Sequence, residues 1–383
     1  MNIIRSLIPR GKPRGMSELP DSIPDSIPCP LSRVVLQGCP PAGWNGSRER
    51  EAEPPMRDSY NREINYLRVS ITDRCNLRCV YCMPKEGLSL LGHEDILRYE
   101  EILRIIRVAV KLGITKVRIT GGEPLVRRGA VDFIASLMSV EGLADVSLTT
   151  NAVLLESYAK GLAEAGVRRI NISLDSLDQA KYGKITRGGN LQSVLKGIDA
   201  VQALGFSPIK INIVAVRGYN DDELLDFARF AYNRPFQVRF IELMPFGGSG
   251  LSENEFIPNM EILDKVRSVY RLSRVNGGEE NGGPARMYHI EGGQGEIGFI
   301  SPLTHHFCHA CNRLRLTADG CLRACLLRER QADLRMPLRN GCDDATLEEL
   351  VRKTVEQKPR GHEMISGDAS RRACATNMSK IGG

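Results

Sequence analysis

Six short runs rich in β-branched residues recur along the middle of the chain: YLRVSIT (66–72), KVRITG (116–121), DVSLTTN (145–151), RINISLD (169–175), KINIVAV (210–216) and QVRFIELM (237–244). Between most of them, apolar residues step at three- and four-residue intervals. Ile102, Leu103, Ile106 and Val110 do so, as do Phe133, Ile134 and Leu137, or Leu224, Leu225 and Phe227. A period near two reads as strand, and one near 3.6 as amphipathic helix. Strands alternating with helical crossovers predict an α/β fold, a parallel sheet with helices outside it. Six units fall two short of a full eight-stranded barrel. The pattern alone therefore leaves two architectures, a partial barrel and a doubly wound open sheet.

The pattern fails at both ends. Residues 1–55 hold half of the chain's 20 prolines, its lone tryptophan (Trp44) and a direct DSIP repeat from Asp21 to Pro28. Such a stretch cannot bury enough apolar surface to offset its ordering entropy. It is expected to be disordered or a non-native extension, with Met56 a candidate native start. Arg5, Arg10, Lys12 and Arg14 precede any acid and faintly resemble a transit peptide, but Glu18, Asp21, Asp25 and the prolines soon interrupt an amphipathic helix. After about residue 250 the chain is Gly-rich (277–295), then strand-like and rich in cysteine, then helical at 345–357. The expected division is therefore 1–55, a barrel region 56–250 and a C-terminal extension 251–383.

Composition narrows the function classes. At 42% hydrophobic and 26% charged, the 383 residues have ordinary globular usage. No apolar run approaches the roughly 20 residues that span a bilayer, so a membrane role is not expected. A formal net charge of +6 suits an anionic small molecule as well as nucleic acid. A nucleic-acid surface would want exposed Lys and Arg beside aromatics, yet aromatics are only 5%. Eleven cysteines, an odd number with no secretory signal before them, point to a reducing compartment and metal-binding thiolates.

Cys75, Cys79 and Cys82 form C-x3-C-x2-C directly after the first predicted strand. Three thiolates so close in a loop can hold three corners of a [4Fe–4S] cube and leave one iron open; a structural zinc site is the alternative. Gly121-Gly122-Glu123-Pro124 ends the second strand. Adjacent glycines let a ligand approach the backbone, and the Glu123 carboxylate is available to a ligand ammonium. Both loops would lie at the carboxyl end of the sheet, where such folds bind ligands. Arg68, Lys116, Arg118, Lys210 and Arg239 sit inside β-branched runs. Alternation should point several of them inward, and buried cations need an anion, so a phosphate-rich ligand is expected. Cys308, Cys311 and Cys325 form a second triad, C-x2-C-x13-C. With Cys321 they could instead make a four-thiolate zinc knuckle. Cys29, Cys39, Cys342 and Cys374 fit no motif and are expected to be free thiols. His305, His306 and His309 crowd the second triad and are assigned no role.

The run RCNLRCVYCMP followed by GGEP resembles the radical S-adenosylmethionine (SAM) enzymes. The resemblance implies a partial six-unit TIM-like (β/α) barrel, with the SAM amino and carboxylate groups on the open iron. Reductive cleavage then yields a 5′-deoxyadenosyl radical that abstracts hydrogen from substrate. It places Gly122, Ser173 and Met244 against SAM, and Tyr81 near its adenine. CNRLRLTADG and the closing Ile381-Gly382-Gly383 are similar to the GTP 3′,8-cyclase family, lyases that begin molybdenum cofactor biosynthesis. This likeness runs from about residue 58 to Gly383. It implies two [4Fe–4S] clusters, the second binding the guanine of GTP, in an extension that closes the barrel. Arg313 and Arg315, with Gly382 and Gly383, would serve catalysis. Arg313 and Arg315 also match GTP-contact positions, as do Arg68, Lys116, Arg118, Thr149, Lys210 and Arg239. Also implied are a low-potential electron donor, hand-off of product to cyclic pyranopterin monophosphate synthase, and a monomer or homodimer. The compartment would be the bacterial cytoplasm or, alternatively, the mitochondrial matrix. The rival reading is another radical SAM enzyme with an auxiliary cluster, of the peptide-maturase type.

Overall fold

The computed structural model describes residues 55–246, 251–275, 283–328, 331–362 and 377–382. The expectations for residues 1–54, Cys374 and Gly383 fall outside these. From the first strand onward, the six runs become β1 (Tyr66–Ser70), β2 (Lys116–Thr120), β3 (Asp145–Thr150), β4 (Ile170–Ser173), β5 (Ile209–Ala215) and β6 (Phe236–Glu242). Between them lie α1 (Tyr99–Lys111), α2 (Ala130–Met138), α3 (Leu155–Glu164), α4 (Gln179–Thr186), α5 (Leu191–Ala203) and α6 (Leu224–Asn233). Every neighbouring pair from β1 to β6 is parallel, in sequence order. That order selects the partial barrel over the doubly wound sheet, whose strand order reverses at a switch point.

The extension adds α7 (Asn259–Arg267), β7 (Leu272–Arg274), β8 (Ala285–Ile290), β9 (Glu296–Ile300), β10 (Arg313–Leu316), β11 (Cys321–Arg323) and β12 (Gln331–Asp333). It ends in α8 (Arg335–Arg339), α9 (Asp344–Glu356) and α10 (Met378–Ile381). Asp343 caps α9 by accepting from the Thr346 N–H, as expected of an N-cap aspartate. One sheet runs through both regions, in the order β12-β11-β10-β1-β2-β3-β4-β5-β6-β9-β8-β7. β10 pairs in parallel with β1, and β9 with β6. The outer edges of β10 and β9 are taken by the antiparallel strands β11 and β8. Among the described residues no ladder joins the two ends. The extension therefore pairs with both edges of the six-unit core.

Alternation along the strands separates two faces. Leu67, Val69, Val117, Ile119, Ile170, Ile172, Ile209, Ile211, Val238 and Phe240 are buried in the main apolar core. The same core takes Ile102, Ile105 and Ile106 of α1, Phe133, Ile134 and Leu137 of α2, and Phe227 of α6. The intervening strand positions are polar. A closed (β/α) barrel fills its interior with branched side chains. Here the interior is a cavity.

A cation-lined cavity between two cysteine triads

The inner face of the sheet encloses about 910 Å³. Arg68, Lys116, Arg118, Thr149, Lys210, Arg239, Arg313 and Arg315 all line it, so two-residue alternation brings eight residues from six strands to one space. Register sharpens the picture. Arg68 lies opposite Arg118 on one side and Arg315 on the other, so three arginines stand abreast at the inter-strand spacing of about 4.8 Å. Burial, then the charges of Arg315 and Arg118, holds the Arg68 pKa well below the ordinary guanidinium value. Burial and Arg118 bring Arg239 down to about 10. Lys210 falls to about 7, through burial and then Arg239, Arg169 and Arg118. Arg68 Nε, Arg239 Nε, Arg313 Nε, Arg315 Nη1, Thr149 Oγ1 and Tyr66 Oη are buried without partners. Donors left bare in a like-charged cluster are costly, and a polyanion would satisfy them. Arg169 lines the same cavity but is paired to Asp145 at 2.8 Å. It stands at the start of the fourth run and carries the same strand-cation signal as the others.

Cys75, Cys79 and Cys82 line the carboxyl end of the cavity, together with Tyr81, Gly122, Ser173 and Met244. The glycine pair has a reason beyond ligand approach. A Cβ on Gly122 would stand 2.5 Å from the Arg74 carbonyl oxygen, and one on Gly121 2.9 Å from that of Thr72. The Gly122 N–H donates to Thr72 O (2.7 Å) and the Glu123 N–H to Arg74 O (2.8 Å), so the cysteine loop lies directly on the GGEP backbone. The Glu123 carboxylate is already engaged within the protein. It accepts from Thr150 Oγ1 (2.8 Å) and the N–H groups of Asn151 (2.7 Å) and Leu125 (3.0 Å), which ties β2 to the end of β3. Burial nevertheless raises its pKa to about 7. The Tyr81 hydroxyl donates to Asp175 (2.6 Å), and Asp175 in turn accepts from the Val214 N–H (2.9 Å), which fixes the ring beside the cluster loop. Cys75 Sγ accepts from the Leu77 N–H (3.4 Å) and Asn151 Nδ2 (3.8 Å). Burial pushes all three thiols up, and the neighbouring thiolates add to it in Cys79 and Cys82. Cationic iron removes both penalties.

Cys308, Cys311 and Cys325 line the same cavity beside Arg313 and Arg315. Burial, then the charges of Cys325 and Cys311, raises the Cys308 thiol. Burial opposes the Cys311 thiolate too, but Lys358 and Arg313 outweigh it and bring that pKa down. Cys321 is not in the lining. It stands on β11, raised to about 11 by burial and by Asp319 and Asp333. The fourth thiol of the knuckle alternative thus faces carboxylates, not the triad. Cys342 is a free thiol packed on the apolar core. The His306 ring meets His362 edge to face, while His305 and His309 are outside the lining. Among the described residues no three His, Cys, Asp or Glu side chains converge on a single-ion site. Thiolates of a [4Fe–4S] cube bind different irons and need no common point.

The segment 377–382 reaches the same space. Ile381 packs with Phe246, Met244, Leu326, Leu327 and Met378. Thr120 Oγ1 donates to the Gly382 carbonyl (3.2 Å), over the ends of β1 and β2. Sequence reasoning missed Lys358, which follows α9 with no periodic or motif signal. It also missed Glu242, whose carboxylate gathers the N–H groups of Asn259, Leu303 and Thr304 and so holds the strand end before Met244 to the segment leading to Cys308.

Residues 69–231 match the Radical SAM superfamily model, and residues 236–364 match Molybdenum Cofactor Synthesis C. A GTP 3′,8-cyclase of Moorella thermoacetica is 49% identical over 328 residues, 86% of this chain and 100% of the relative. One of Pelotomaculum thermopropionicum is 46% identical, with the same coverage of 86% and 100%. One of Geobacter sulfurreducens is 49% identical over 85% of this chain and 99% of its own. Among solved structures, Streptococcus suis SuiB bound to S-adenosylmethionine superposes with a TM-score of 0.53 at 14% identity, covering 83% of this chain and 72% of that one. The anSMEcpe structure with bound AdoMet gives 0.50 at 15% identity, over 79% and 80%. These two speak to the fold alone. With relatives matched along their whole length at nearly half identity, the chain belongs to the GTP 3′,8-cyclase family of radical SAM proteins.

Proposed function

We propose that this protein converts GTP to 3′,8-cyclo-7,8-dihydro-GTP, the opening step of molybdenum cofactor biosynthesis and formally a lyase reaction. The observation that carries this reading is the cation-lined cavity with a cysteine triad toward each end. Cys75, Cys79 and Cys82 would hold one [4Fe–4S] cluster, and Cys308, Cys311 and Cys325 a second. With SAM, a reduced cluster on Cys75, Cys79 and Cys82 would supply a 5′-deoxyadenosyl radical able to take H3′ from GTP; C3′ would then bond C8 of guanine, and one further electron with a proton would complete the product. The chain's own residues position the reactants. Gly122, Ser173 and Met244 seat SAM beside the loop fixed by Tyr81 and Glu123. Arg68, Lys116, Arg118, Thr149, Lys210 and Arg239 take the triphosphate. Arg313 and Arg315, beside the second triad, would contact GTP, and the Gly-Gly end of the chain would serve the reacting centre. The reading extends to a low-potential one-electron donor, transfer of product to cyclic pyranopterin monophosphate synthase, and a cytoplasmic monomer or homodimer. No described helix is long and apolar enough to cross a membrane.

Anaerobic incubation with SAM, dithionite and GTP tests the reading. The expected result is 5′-deoxyadenosine formed only when GTP is present, accompanied by the cyclised nucleotide. SAM cleavage indifferent to GTP would sink it.

A pH dependence arises from Lys210. Without ligand its pKa is about 7, lowered by burial and by Arg239, Arg169 and Arg118. A triphosphate favours the ammonium and raises that pKa, so above pH 7 binding takes up a proton, and affinity falls as pH rises from 7 toward 9. Calorimetry at pH 8 in two buffers of different ionisation enthalpy measures the uptake. Proton release, or none, would contradict it.

A further inference from the structure

Lys358 follows α9 and is buried, at 3% exposure. Its ammonium donates to the carbonyl oxygens of Arg313 (2.7 Å) and Ala324 (2.6 Å), and it lies near the Cys311 side chain. Arg313 lies two residues after Cys311, and Ala324 immediately precedes Cys325. One side chain thus ties together the two segments that carry the second triad, that of Cys308 and Cys311 and that of Cys325. It is not another phosphate contact, because it lies outside the lining of the substrate cavity.

The nearby Arg62 makes the contrast. Its guanidinium bonds the Cys308 carbonyl (2.6 Å), but Asp58 cancels its charge at 2.5 Å. No carboxylate pairs with Lys358 among the described residues, and the negative groups facing it are Cys311 and Cys325. A buried ammonium without a counter-ion is costly to keep, so its natural complement is an anion that arrives after folding. A cluster on three thiolates is such an anion, and its negative charge grows on reduction. A buried cation beside the ligand sulfurs favours the reduced state and raises the potential.

We propose that Lys358 is a positioning residue of the second cluster, fixing the Cys311 and Cys325 segments through their carbonyls and holding that cluster's reduction potential up with its buried charge. This rests on the two-cluster reading of the proposed function.

The test compares wild type, Lys358→Met and Lys358→Arg after anaerobic reconstitution, by iron analysis and EPR-monitored redox titration, with the first cluster as internal reference. In Lys358→Met the midpoint of the second cluster is expected to move to more negative potential while the first stays put, and Lys358→Arg should return it toward wild type. Loss of the second cluster alone in Lys358→Met, with the first retained, also supports the positioning role. An unmoved second midpoint overturns the proposal, as does an equal shift or equal loss of both clusters, which marks a general folding defect. Wild type that holds a single cluster is a separate failure, that of the two-cluster reading, and is seen before any variant is compared.

Discussion

A chain shortened to end at Ile381 is expected to keep its iron and its SAM cleavage yet lose cyclisation by about 100-fold or more. Ile381 anchors the segment in the apolar pocket with Phe246, so removing Gly382 and Gly383 leaves the anchor and the fold in place. The loss is of the backbone whose Gly382 carbonyl Thr120 Oγ1 holds over the ends of β1 and β2. Gly382→Ala should act in the same direction without any deletion. Its φ of +83° is a conformation that alanine resists, and the added Cβ would stand 2.7 Å from Ser70 Cβ, an atom fixed by β1. The readout is cyclised nucleotide per 5′-deoxyadenosine. A falling ratio at preserved iron content is the expected signature of a substrate no longer held for the second bond. A ratio equal to wild type in both variants would remove the tail from the active site.

Arg68→Met is expected to weaken GTP while stabilising the ligand-free protein. Arg68 stands between Arg118 and Arg315 in a buried row, and its Nε is unpartnered. Removing a buried, charge-assisted contact to phosphate costs on the order of 2–5 kcal/mol, roughly 30-fold to a few thousand-fold in affinity. Without GTP the same guanidinium suffers burial and the repulsion of two neighbours, so an isosteric apolar chain relieves strain in the resting state. Thermal melts of the ligand-free variant should therefore rise, and the stabilisation that GTP confers on wild type should shrink. A melt that falls, with GTP binding intact, would mean that Arg68 is a structural cation.

Much of this is legible in the sequence because β-strand alternation is local. Runs such as KINIVAV put Ile211, Ile213 and Ala215 on one face, and the same count that buries them turns Lys210 to the other. The cysteine spacings are equally local. The features that escape such reading depend on residues far apart in the chain. That the extension takes both edges of the core is set by the partners of β9 and β10, and non-local pairing leaves no local mark. Glu123 reads as a ligand group because its donors from Thr150 and Asn151 lie on another segment. Lys358 reads as any surface lysine, since only the folded chain brings Arg313 and Ala324 to it.

The pairing of β1 with β10 has a consequence for biosynthesis. Tyr66 meets Arg313, so β1 leaves the ribosome with one edge unpaired and waits for roughly 250 more residues, on the order of 10–50 s at bacterial elongation rates. During that interval the nascent sheet presents an open strand edge, the kind of template on which chains pair with one another. The same delay separates the two triads: the first emerges with its strand, whereas the second follows more than two hundred residues later.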